Sequence, residues 1–130
     1  MNTANPQSFD VMLQKTLHCS RYAKQALGTD QPLLDWLRKN HTAPCDRREM
    51  QDLLRQSGLD LNDEADLARA VRRLRKQVMV KLILRDLNGL ADLNEVMQAM
   101  TALAEICVRQ AQTCLMQALR QQFGNPIGEA

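Results

Sequence analysis

"RRLRKQVMVKLILRDLNGL", residues 72–90, sets six basic side chains among nine apolar ones and runs into an Asn-Gly pair. At 100° per residue, Arg69, Arg72, Arg73 and Lys76 share one arc of a helix. Leu67, Val71, Leu74 and Val78 lie on the opposite side. Past Val78 the pattern rolls over. Val80, Ile83, Leu84 and Leu87 take the arc that was charged, and Lys81 and Arg85 fall near the former apolar stripe. One helix therefore buries different faces along its length. The basic arc of Arg69, Arg72, Arg73 and Lys76 is expected to face solvent. Arg85, set among apolar residues, needs a carboxylate (Asp86, Asp92 or Glu95) or a further module to meet. Arg85 and Lys81 are thus the candidate inter-module contacts.

Working outward, Asn62 is expected to cap this helix, with Asp63, Glu64 and Asp66 complementing the dipole of its first turn. Nothing interrupts the helix for about 25 residues, until Asn88–Gly89. Asp92 with Glu95 reads as a capping box opening a last helix to about Phe123, where Gly124 and Pro126 stop it. Leu93, Met97, Met100, Ala104, Cys107, Ala111, Cys114 and Ala118 recur there at alternating spacings of four and three. They are expected to form a buried seam that Val96, Leu103, Leu115 and Leu119 widen, with small residues letting a neighbouring helix come close. The short "NGLA" link makes the pair an antiparallel hairpin.

Upstream, Pro and Gly divide the chain into short helices. A first covers 6–18. A second is capped by Ser20 and stops at Gly28 in a left-handed turn. A third is capped by Asp30, with Pro32 in its first turn and Leu33, Leu34, Trp36 and Leu37 as its buried side. After the loop "NHTAPCD" (40–46), Asp46 starts a fourth, which carries Met50, Leu53 and Leu54 and ends at Ser57–Gly58. The fold class is all-α: a helical bundle of several short N-terminal helices plus a long antiparallel hairpin, about 62–88 and 92–123. Residues 1–124 read as one helical domain and 125–130 as a linker.

Composition bounds the function. Of 130 residues, seventeen are basic and fifteen acidic, a formal +2, and only four are aromatic. That balance and the scarcity of stacking platforms argue against nucleic acid as a partner. No apolar run is long enough for a membrane span, and the start "MNTANPQSFD" lacks the layout of a secretory signal. Cys19, Cys45, Cys107 and Cys114 have neither CxxC nor paired-histidine spacing and read as reduced thiols of a cytoplasmic protein. His18 and His41 are expected at the surface. The glycines are isolated stops, not a phosphate loop, and the carboxylate pairs sit in helix first turns. No catalytic, cofactor-binding or metal-ligating residue is expected in these 130.

The stretch "DEADLARAVRRLRKQVMVKLILRDLNGLADLNEVMQAMTALAEICVRQAQTCLMQALRQQFGNP" (63–126) resembles the helical N-terminal part of bacterial glutamine synthetase adenylyltransferases. The pattern carrying the likeness is an arginine-rich helix, then R-D-L-x-G-x-x-x-L-x-E, here Arg85 to Glu95. "SRYAKQALGTDQPLLDWL" (20–37) is similar to the family's upstream segment. The resemblance implies a piece of a much longer enzyme, one that adenylylates a tyrosine of glutamine synthetase with ATP and magnesium and removes the AMP by phosphorolysis. The family's phosphate loop and magnesium-holding aspartate pair have no counterpart here, so no catalytic position carries over. The partners it implies are the chain's own downstream catalytic domain and glutamine synthetase. A stand-alone helical adaptor is the alternative reading, and an uncovered seam would also admit a homodimer.

Overall fold

The computed structural model describes residues 8–124, in which six helices and no strand occur. The start of the first expected helix, the 125–130 linker and Pro126 lie outside the described residues. Among those described, no helix is long and apolar enough to cross a membrane. The chain divides into two compact units, Met1–Cys45 with Lys76–Ala99, and Asp46–Arg75 with Met100–Ala130.

The first unit opens with α1 (Phe9–Cys19), α2 (Arg21–Gly28) and α3 (Gln31–Asn40). Each starts where a short polar side chain takes an otherwise orphaned amide. Ser8 accepts from Val11 N–H, Ser20 from Ala23 N–H and Asp30 from Leu33 N–H. Pro32 stands in the first turn of α3, where its missing N–H costs nothing. These helices bury Ala23, Leu27, Leu33 and Leu37 against Val80 and Leu84 of the long helix Glu64–Leu87, with Phe9, Leu13 and Trp36 packed around them. Each fully buried leucine contributes about 1.5–3 kcal/mol relative to an exposed one. Gly28 does not take the expected left-handed stop. Its φ is not positive, because Thr29 ends α2 and Asp30 begins α3 at once.

The second unit contains α4 (Arg47–Arg55), capped by Asp46, whose carboxylate accepts from Glu49 N–H. Gly58, at φ 75°, turns the chain away after it. Both units share α5 (Glu64–Leu87) and α6 (Leu93–Phe123). The cap of α5 is Asp63, not Asn62. Its carboxylate accepts from Asp66 N–H at 2.9 Å, and its carbonyl from Leu67 N–H at 2.8 Å.

The α5–α6 turn is a left-handed helix stop. Gly89 has φ 74°, Leu90 N–H donates to Arg85 C=O at 2.7 Å, and Gly89 N–H donates to Asp86 C=O at 3.2 Å. Asp92 caps α6 through Glu95 N–H at 2.8 Å. Beyond the turn the two helices run antiparallel. In the first unit Glu95 meets Arg85, and in the second the Cys114 thiol donates to Asn62 C=O. The side chain of Asn88 fastens this turn to α1, donating to the buried Thr16 hydroxyl at 3.2 Å and to Met12 C=O at 3.3 Å.

The roll-over along α5 is real but incomplete. Val80 and Leu84 are buried as expected, yet Gln77, Val78, Lys81, Leu82 and Arg85 are buried as well. The C-terminal half of this helix is enclosed nearly all round rather than on a new face. Gly28 and Gly89 separate conformation from packing, since a Cβ at either would meet nothing within 4 Å. Gly89→Ala is expected to cost about 1–2 kcal/mol through its left-handed backbone. Gly28→Ala should add about 0.5–1 kcal/mol. Urea denaturation followed by circular dichroism checks both.

Candidate interaction surfaces

Arg85 is the most heavily bonded side chain described. It lies in the last turn of α5, 4% exposed. Its Nε donates to Glu95 Oε2 at 2.7 Å and its Nη2 to Glu95 Oε1 at 2.9 Å, a two-pronged pairing across the turn. Nη1 donates to His41 C=O at 2.9 Å and Nη2 also to Leu90 C=O at 3.0 Å. The cation is thereby neutralised and four of its five N–H donors are engaged. Of the carboxylates near it in sequence, Glu95 is the one it meets. Glu95 therefore does not reach back to close a capping box, and Asp92 caps α6 alone.

His41 is buried, a correction to its expected surface position. Its Nδ1 lies 2.9 Å from Arg38 C=O, which can only accept, so that nitrogen carries the proton. The ring stands 4.8 Å from that of Phe9, which Arg38 also covers at 4.7 Å while pairing with Asp10 at 3.1 Å. Lys81 is 1% exposed, its ammonium 5.6 Å from the centre of the Trp36 ring. The structure thus gives Arg85 and Lys81, the candidate inter-module contacts, an internal use in the first unit, with neither side chain at the surface.

The basic arc separates on inspection. Arg69, Arg72 and Arg73 are exposed in the second unit, Arg69 with its guanidinium 3.4 Å from Asp66. Lys76, in the first unit, stands half-buried with its ammonium 3.9 Å from Asp30. A second basic feature escaped the sequence reading. In the second unit a cavity of about 320 Å³ is lined by Arg47, Leu54 and Arg55 of α4 and by Ile106 and Arg109 of α6. The signal was present as helical spacing, 47/51/54/55 facing 106/109/110/113, but pairing the two runs requires the fold. Arg47 is ion-paired with Glu105 and Arg55 with Asp52, so two of the three guanidiniums are already answered.

The helix face expected to be the buried seam of α6 is largely exposed. Of the residues expected there, Cys114 and Leu103 are buried, and Ala99, Ala102 and Ile106 complete the packed stripe. That stripe is turned about 100° from the expected one, the angle of a single residue step. Leu93, Met97, Met100, Ala104, Ala111, Leu115, Ala118 and Leu119 face outward. Cys107 is half-buried at the edge. Burial pushes its thiol pKa up, opposed in smaller part by the charge of Arg75.

The sequence that builds these helices and their turn matches a known family. The model of the glutamate-ammonia ligase adenylyltransferase family matches residues 11–130. The chain belongs to that family. Similar proteins include the bifunctional glutamine synthetase adenylyltransferase/adenylyl-removing enzymes of Nitrosomonas europaea and Nitrosomonas eutropha. The former is 46% identical over 85% of this chain and 12% of its own length, the latter 43% over 91% and 13%. The enzyme of that name from Chromobacterium violaceum is 35% identical over 95% of this chain and 14% of its own. The chain therefore spans only a small part of the length of the curated relatives it matches. No solved structure matches it.

Replacing Arg85 leaves Glu95 and two carbonyls without their donor. Arg85→Ala is expected to cost about 3 kcal/mol in denaturant titration, the low end for a broken buried pair, because the Glu95 carboxylate retains some access to water. Arg85→Lys should recover only part, since an ammonium lacks the planar fork. In a separate measurement, iodoacetamide at pH 8 should modify exposed Cys19 well before Cys107, and the lag should shrink as pH rises and Cys107 ionises. Peptide mass spectrometry reads both rates.

Proposed function

We propose that this chain is a non-catalytic helical scaffold segment of a longer enzyme that adenylylates and deadenylylates a tyrosine of glutamine synthetase in the cytoplasm. The observation that carries the reading is the family match across residues 11–130 of a chain that spans 12–14% of the relatives' length. ATP and magnesium belong to other parts of that polypeptide. The acidic residues at the start of α5 do not suit a metal, because they are engaged in one another's helix entry. Asp60 Oδ1 accepts from Asn62 N–H, Asp63 Oδ2 from Asp66 N–H, and Asp66 Oδ2 from Asp60 N–H. Among the described residues no three His, Cys, Asp or Glu side chains group as a metal site would need.

The scaffold's contribution is rigidity. A helix end closed by a left-handed glycine, a capped start and a buried bidentate ion pair fix the direction in which α6 leaves the turn. Partners in this reading are the downstream catalytic domain and, through it, glutamine synthetase. The test compares the intact enzyme with one lacking residues 1–124, assaying both reactions on glutamine synthetase. Removal of AMP should be lost from the truncated enzyme while attachment, carried by the other half of the polypeptide, persists. Undiminished removal by the truncated enzyme would end the scaffold reading.

A further inference from the structure

The α6 residues of the second unit carry two apolar stripes, and only one is used. The packed stripe includes Ala102, Leu103, Ile106 and Cys114, each 6–7% exposed. The other stays open: Met100 is 40% exposed, Val108 56%, Leu115 59% and Leu119 40%. On a helical wheel these four, with exposed Ala104, Ala111 and Ala118, fall within about 100°. No charged residue lies in that arc. Glu105, Arg109 and Arg120 project from other sides of the helix.

Resting on the scaffold reading above, we infer that this arc is the docking face for a helix of the same polypeptide lying outside these 130 residues. The occupant has an apolar stripe of matching period and no charge on it. Three observations select such a partner. Alternation of large residues with alanine at successive turns is the relief into which another helix's side chains interdigitate at close approach. The absence of charge gives an acidic peptide, a phosphate backbone or an anionic membrane surface nothing to bind. The relatives devote 86–88% of their length to regions beyond this match, as the 12–14% coverage leaves. A segment tethered in the same polypeptide reaches the face at an effective concentration on the order of millimolar, far above that of a second enzyme copy.

The test places a thiol on the arc. Leu115→Cys and, separately, Ala104→Cys are introduced into the 130-residue chain and into the intact enzyme. Maleimide labelling at that residue is followed by peptide mass spectrometry, with light scattering to fix the mass of each species. Both probes should label rapidly in the isolated chain and roughly tenfold or more slowly in the intact enzyme, independent of enzyme concentration. Equal labelling in both proteins overturns the inference. So does protection that grows with concentration alongside a dimer mass, which would make a second copy the occupant. Slow, concentration-independent labelling in the isolated chain also overturns it, because the arc would then not be open. An intact enzyme that labels freely yet loses AMP removal on truncation leaves the scaffold reading standing without this docking face. Two probe sites guard against one variant failing to fold.

Discussion

A buried guanidinium is tolerated only when its charge and its donors are answered together, and Arg85 organises the first unit on those terms. Its fork holds Glu95, in the first turn of α6, while its other N–H groups take the carbonyls of His41 and Leu90. One side chain thus ties together the end of α5, the turn, the start of α6 and the residue that follows α3. Desolvating the ion costs several kcal/mol, so the pairing is weak evidence for stability as such. Its effect is on geometry. A planar fork closed at 2.7 and 2.9 Å leaves α6 little freedom to swing about Gly89.

Helix positions and most caps were legible in the sequence because they depend on neighbours within four residues. Ser20, Asp30, Asp46 and Asp92 each take an amide three residues on, as local capping chemistry requires. The misreadings have one cause. Asn62 and Asp63 are both competent caps, and the choice falls to the carboxylate that Asp60 and Asp66 help position. Glu95 had two admissible uses, a backbone amide or a guanidinium, and the buried cation outcompetes a solvated amide. His41 looked like a surface loop residue because the Phe9 ring and the Arg85 donor that enclose it come from far along the chain.

The rotated stripe of α6 is more instructive. Periodicity identifies apolar stripes, but it does not say which stripe a particular neighbour covers. Leu93, Met97, Met100, Ala104, Cys107, Ala111, Cys114 and Ala118 gave the cleaner alternation of four and three, of which Cys114 is buried, while Ala99, Ala102, Leu103 and Ile106 gave a smaller and less regular one. The structure packs the second and leaves most of the first open. The packed stripe holds two large side chains, Leu103 and Ile106, beside Ala99, Ala102 and Cys114, while the open one holds Met97, Met100, Val108, Leu115 and Leu119 interleaved with Ala104, Ala111 and Ala118.

That asymmetry follows from what each surface has to achieve. A helix held against neighbours joined to it by a short turn needs little apolar area, because the turn has already removed most of the freedom that association must otherwise overcome. Ala99 and Ala102 allow close approach there, beside Leu103, Ile106 and Cys114. A contact made across a long stretch of polypeptide has more freedom to overcome and so requires larger buried side chains, such as Met, Val and Leu, at each turn. The open face offers such area at Met100, Val108, Leu115 and Leu119, interleaved with Ala104, Ala111 and Ala118.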